Sequence, residues 1–129
     1  MAVTHSTAAR NAATDAVTAL IGASGNLKLR LAGNIGVPGA VVATLPLSED
    51  AFGDSSNGTA TANAISSDTN ATGNASPVAN ATLEASGGTV VIHCAVGASG
   101  SDINMTGGLT IAAGDTVEVS SLTYTALTA

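Results

Sequence analysis

Two histidines, one cysteine and nine carboxylates are the side chains of this 129-residue chain from which metal or acid–base chemistry could be built. His93 and Cys94 are adjacent, and imidazole with thiolate is the donor pair that holds zinc. They fall within Thr89 to Val96, where Val90, Ile92, Cys94 and Val96 alternate as on a strand. Successive side chains of a strand point to opposite faces, so these two cannot converge on one ion. Cys94 reads instead as a small core residue beside Val90 and Ile92. His5 has no residue of ligand type near it in the sequence.

The carboxylates gather once. Glu49, Asp50 and Asp54 surround Phe52 in a segment that reads as a loop, while Asp102 and Asp115 sit beside glycines or serines in turns. A calcium ion needs about six to eight ordered oxygens, and no spacing here matches a calcium loop, so these read as solvated turn acids. A carboxylate pair also serves glycoside hydrolysis. With aromatics at 2%, one Phe, one Tyr (Tyr124) and no Trp, the chain has nothing to line a sugar cleft. Hydroxyls abound, but no nucleophile elbow or Ser-His-Asp order accompanies them. Gly97-Ala-Ser-Gly100 lacks the lysine and following helix of a phosphate loop. Sequons at Asn57, Asn70, Asn74, Asn80 and Asn104 are what chance supplies in a chain this rich in Asn, Ser and Thr. The expectation is therefore a protein that is not an enzyme, with no catalytic, cofactor-binding or metal site.

Composition narrows the partners. Nine acids against Arg10, Lys28 and Arg30 leave a net charge of −6, the wrong sign for displacing counterions from nucleic acid. No apolar run approaches the roughly 18 residues of a membrane span, and the N-terminus carries no signal-peptide pattern, which reads as cytoplasmic synthesis. Charged residues make up 9% of the chain, against about 25% in ordinary soluble domains. The 45% hydrophobic content is rich in alanine, which buries little area at about 25 cal/mol per Å². A core so lean predicts that a subunit interface contributes stability, and hence a homo-oligomer.

The elements that must position these residues follow from periodicity. Ala9, Ala13, Ala16, Val17, Leu20 and Ile21 recur at helical spacing between Ser6 and Ile21, with Arg10, Asn11, Thr14 and Thr18 on the other side. That predicts a helix with an alanine-rich inner face, capped by Thr4 or Ser6 and ended at Gly22. From Leu27 the period becomes two. Leu27, Leu29 and Leu31 alternate with Lys28 and Arg30, a strand with its bases outward. Further strands are expected near 40–47, 58–65, 78–84, 89–96, 102–106, 109–111 and 116–125, the last with a bulge near Ser120-Ser121. Residues 66–77 read as a loop without core residues. Short strands with glycine turns after a single helix predict a mainly β chain: an antiparallel β-sandwich, or a barrel-like variant, over 26–129, with one N-terminal α-helix in the segment 1–25.

The whole-chain pattern also carries a resemblance. Ser6-Thr-Ala-Ala-Arg-Asn-Ala-Ala-Thr-Asp-Ala-Val17, Leu45-Pro-Leu-Ser-Glu-Asp-Ala-Phe-Gly53, Gly58-Thr-Ala-Thr-Ala-Asn-Ala-Ile65 and the motifs Gly97 to Asn104, Ile111 to Val117 and Ser121 to Thr125 resemble small virion proteins of tailed bacteriophages and prophages. The resemblance implies a structural, non-enzymatic role in the virion. The role it favours is a capsid decoration or cement protein, often trimeric, bound to the major capsid protein. A head–tail connector, collar or tail component is the alternative, and a sugar-binding or adhesin module is a reading of another class. The residues expected at an interface are Ala9, Ala13, Ala16 and Val17 of the helix and Glu49, Asp50, Phe52 and Asp54 of the acidic loop.

Overall fold

The computed structural model describes residues 3–128; the first two residues of the N-terminal segment and the last of the β region lie outside that description. The fold is mainly β, with a curled five-stranded sheet, a second small sheet and one short N-terminal helix. Helix α1 spans Thr7–Ala19. The strands are β1 (Asn26–Arg30), β2 (Val41–Pro46), β3 (Thr59–Thr61), β4 (Asn80–Glu84), β5 (Val90–Gly97), β6 (Ile103–Asn104) and β7 (Thr123–Thr125). The large sheet runs β2-β1-β4-β5-β6, and β3 pairs with β7. All pairings are antiparallel except β5 with β6.

Period-two patterning makes the apolar face of the large sheet. Leu27 lies opposite Leu45 on one side and Leu83 on the other, and Leu83 faces Ile92. The next row joins Ala43, Leu29, Ala81 and Cys94. Ile21, Phe52, Ala60, Ala71, Val78, Ile111 and Val117 complete the core against these rows. Val90 departs from the expected face. A register shift between Leu83 and Glu84 leaves Val91 as an extra residue, so Val90 pairs with Glu84 and the alternation inverts there.

The opposite face of β1 is not a solvated outer surface. Lys28 and Arg30 both reach Glu84, which is 1% exposed, with Lys28 Nζ at 3.2 Å and Arg30 Nη2 at 2.7 Å. Arg30 Nε also donates to Thr82 Oγ1 at 2.9 Å, and Arg30 Nη1 to the Gly39 carbonyl at 2.8 Å. The bases therefore fold over their own sheet around a buried carboxylate, because a buried charge must be paired and hydrogen-bonded.

The helix corrects a second expectation. It docks through its polar side. Thr14, fully buried, donates to the Gly58 carbonyl at 2.6 Å and accepts from the Ala126 amide at 3.1 Å. Asn11 Oδ1 accepts from Gly58 N at 2.7 Å, and Asp15 Oδ1 from Ser55 N at 3.0 Å. The turn it meets needs these partners. Asn57 and Gly58 both have positive φ, 52° and 81°, as a two-residue hairpin requires, and the turn's backbone groups face the helix. Ser6 caps the helix by accepting from Ala9 N, and Gly22, at φ 65°, follows its end.

Two loop expectations also change. Residues 66–77 are held: Thr44 N donates to Asp68 Oδ2, Asp68 pairs with Val117, Gly73 N donates to the Val42 carbonyl, and Ala71 is buried. The phase change between Val117 and Tyr124 is a change of partner and not a bulge. Val117 bridges to Asp68, whereas Tyr124 pairs with Ala60 in the small sheet. Residues 109–111 form no strand, but the Leu109 and Ile111 carbonyls accept from Val78 N and Asn74 N.

Candidate functional site

Cys94 and His93 sit in different surroundings on β5. Cys94 is half-buried, its thiol 3.7 Å from the Ala81 carbonyl. Burial, with Asp102 adding to it, pushes the thiol pKa up to about 11, so at neutral pH it is protonated and a poor nucleophile. His93, its chain neighbour, lies opposite Thr82 and keeps Nε2 buried without a hydrogen-bond partner. Among the described residues no three His, Cys, Asp or Glu side chains are grouped to hold a metal ion.

Among the described residues, Glu84 is the carboxylate whose surroundings shift it. Burial raises its pKa, but the hydrogen bonds from Arg30, Thr82 and Lys28 together outweigh that and hold it below its ordinary value. The cluster is closed over by its own partners, and a charge so paired is a structural brace.

The expected interface residues divide into two places. On α1, Ala9 and Ala16 are exposed while Ala13 and Val17 are half-buried. Since Thr14, Asn11 and Asp15 face the body, the outer side of the helix shows Ala8, Ala9, Ala12, Ala16 and Ala19, ending at Leu20, which is 67% exposed. This inverts the usual amphipathic arrangement, in which the apolar stripe faces the core. Glu49, Asp50 and Asp54 are exposed, and the buried Phe52 forms the floor beside them. They line a groove of about 480 Å³ whose other wall is the C-terminal half of α1, with Asp15, Thr18 and Ala19. The acidic loop and the helix are thus brought together, through Asp15 and Ala19 and not through Ala9 or Ala13.

A second hollow of about 560 Å³ lies between Leu29 of β1 and residues 102–123. Its apolar lining from that segment is Ile103, Met105, Ile111, Val117, Val119 and Leu122, interleaved with Thr and Ser hydroxyls and the carboxylates of Asp102, Asp115 and Glu118.

Sequence reasoning passed over one further surface. The loop 33–39 presents Ile35 and Val37, 60% and 72% exposed. Asn34 Oδ1 accepts from Gly36 N and Val37 N, and a Cβ on Gly33 would clash with Gly39 N, so the two ends of the loop lie close together. The signal in the sequence was Gly33 and Gly39 bracketing two branched apolar residues.

The chain matches no protein-family model, and neither a curated protein nor a solved structure matches it significantly.

Proposed function

We propose that this protein is a non-enzymatic structural subunit of a phage virion, a self-associating decoration or cement protein seated on the capsid shell. The observation that carries this reading is the inverted helix. A helix that spends its polar side chains on its own hairpin turn and leaves Ala9, Ala12, Ala16 and Leu20 outward offers a smooth apolar strip to a second surface. Small residues let backbones approach closely, and many copies on a lattice multiply a weak contact. The Ile35–Val37 tip, tied back by Asn34, adds a second exposed apolar contact. The accessible surface of 6768 Å² exceeds the roughly 6,100 Å² expected of a compact monomer of this mass, as suits a subunit shaped to meet neighbours.

The test is binding of the purified protein to empty shells and to isolated tails. Ala9→Arg with Ala16→Arg should keep the fold by circular dichroism and lower shell occupancy several-fold. Full occupancy by that variant would remove the helix from the contact. Binding to tails and not to shells would move the protein to the connector, collar or tail.

A further inference from the structure

We propose that Asn57 is a latent self-deamidation site, and that helix α1 keeps it silent by gripping the peptide group whose rotation would start the reaction. The inference is independent of the virion reading. Asn57 is the one asparagine of this chain that a glycine follows. Asparagine is a labile side chain, and most so before glycine, because no Cβ hinders the attacking nitrogen. Gly58 N, its proton passed to water or hydroxide, bonds to Asn57 Cγ. The Cγ–Nδ2 bond breaks, and that nitrogen takes up a proton and leaves as ammonia. Water then opens the cyclic imide at Cγ to leave aspartate, or at the main-chain carbonyl to leave isoaspartate. The sum is an amide and a water giving a carboxylate and ammonium.

The fold demands this dipeptide. Ser56 and Thr59 exchange backbone hydrogen bonds at 2.9 and 3.0 Å, which leaves Asn57 and Gly58 as the turn, at φ 52° and 81°. Asn-Gly serves that backbone best. A Cβ on Gly58 would stand 3.0 Å from Arg10 Cβ, so glycine also lets the helix come close. The Asn57 residue is exposed, while Gly58 is buried.

The grip falls on the reacting group itself. The Asn57 carbonyl and the Gly58 N–H belong to one planar peptide unit, and that plane must rotate before Gly58 N can reach Cγ. Helix α1 holds it at both ends. Arg10 Nη1 donates to the Asn57 carbonyl at 3.2 Å, and Asn11 Oδ1 accepts from Gly58 N at 2.7 Å. On either side of that unit, Thr14 Oγ1 donates to the Gly58 carbonyl at 2.6 Å and Asp15 Oδ1 accepts from Ser55 N at 3.0 Å. The attacking nitrogen is committed as a donor and cannot turn without breaking these bonds. Reaction therefore waits for a local opening in which α1 lifts. Isoaspartate then adds a methylene to the main chain of a two-residue turn. The peptide unit no longer fits between Arg10 and Asn11, so a chain whose helix has lifted keeps a loosened seat.

Ageing the protein in mildly alkaline buffer, with peptide mass mapping and ion exchange for the added negative charge, tests this. Position 57 should stay an amide in the native chain and convert in denaturant. Each bond to the gripped unit is worth roughly a 2- to 10-fold shift in its opening, so Arg10→Ala and Asn11→Ala should each speed native conversion by about that factor. If Asn11→Ala does not fold, Arg10→Ala, a change at the helix surface, decides. Glu84→Gln weakens the large sheet without touching the grip, and should leave the rate within about 2-fold. Isoaspartate-bearing chains should be cut by trypsin at Arg10 faster than unmodified ones. Conversion in the native protein as fast as in denaturant overturns the inference. So does a native rate that neither grip variant raises, or one that Glu84→Gln raises as much as they do, since global unfolding would then be the gate. Equal cutting of modified and unmodified chains overturns the loosened seat.

Discussion

Removing the Glu84 carboxylate should cost this protein much of its stability. Glu84→Gln keeps the volume and deletes the charge. Arg30, with its side chain 12% exposed, and Lys28, 25% exposed, would then face each other without an anion. Breaking a buried ion pair by removing one partner costs about 3–5 kcal/mol. Lys28 can turn partly to water and Arg30 keeps its bond to Gly39, which places the expected loss toward the lower figure. With a urea m-value of about 1–3 kcal/mol/M, the midpoint should fall by roughly 1.5 M. Far-UV circular dichroism is the suitable probe, since the chain has no Trp and one Tyr. The pH dependence carries the sign. Glu84's carboxyl is held below its ordinary value of 4.5 in the folded protein, so the unfolded chain takes up its proton first as pH falls. The contribution is fully present above about pH 4.5 and is lost as pH falls through the lowered folded value. The native protein should therefore lose its advantage over Glu84→Gln on acidification. A variant within 1 kcal/mol of the native protein at pH 7, or a difference that does not shrink in acid, would refute the reasoning.

Thr14→Val should cost about 1–3 kcal/mol, because the Gly58 carbonyl and Ala126 amide lose their partner, whereas Ala16→Ser on the outer face should change thermal stability by less than about 0.5 kcal/mol. Asp68→Ala strips the acceptor from Thr44 N and Asn70 N, and light scattering should detect faster aggregation as the β2 edge opens. Cys94 should react slowly with a disulfide reagent in native protein at pH 8 and quickly in denaturant, given its thiol pKa of about 11 and half-buried place; equal rates in the two conditions would contradict that placement.

Residue patterning made the mainly β fold and most of its strands legible. Leu27 and Leu29 alternate with Lys28 and Arg30, and Ala81 and Leu83 alternate in step on β4, so the apolar rows follow from period, whereas the burial of Thr82 and Glu84 between them does not. The helix limits were equally local, set by Ser6 and Gly22. Its buried side was not. Hydrophobicity favours the alanine face, but alanine gains little by burial. Asn11, Thr14 and Asp15 instead meet backbone groups of residues 55–58 and 126 that would otherwise be unsatisfied. Of the residues expected at an interface, the sequence grouped Glu49, Asp50 and Asp54, and the fold added Asp15 as the facing wall of their groove.

Features that depend on residues a few positions apart were therefore legible before folding: strand period, caps, turns, the lack of aromatics and the excess of acid. Tertiary structure alone decided which partner each polar group finds. Glu84 meets Arg30 from 54 residues away, Asp68 meets Thr44 from 24, and Thr14 meets Ala126 from 112. The physical reason is that apolar burial depends mainly on area and has no direction, so a pattern can forecast it. A hydrogen bond needs its donor and acceptor within about 3 Å and aligned, and only the folded chain sets that distance.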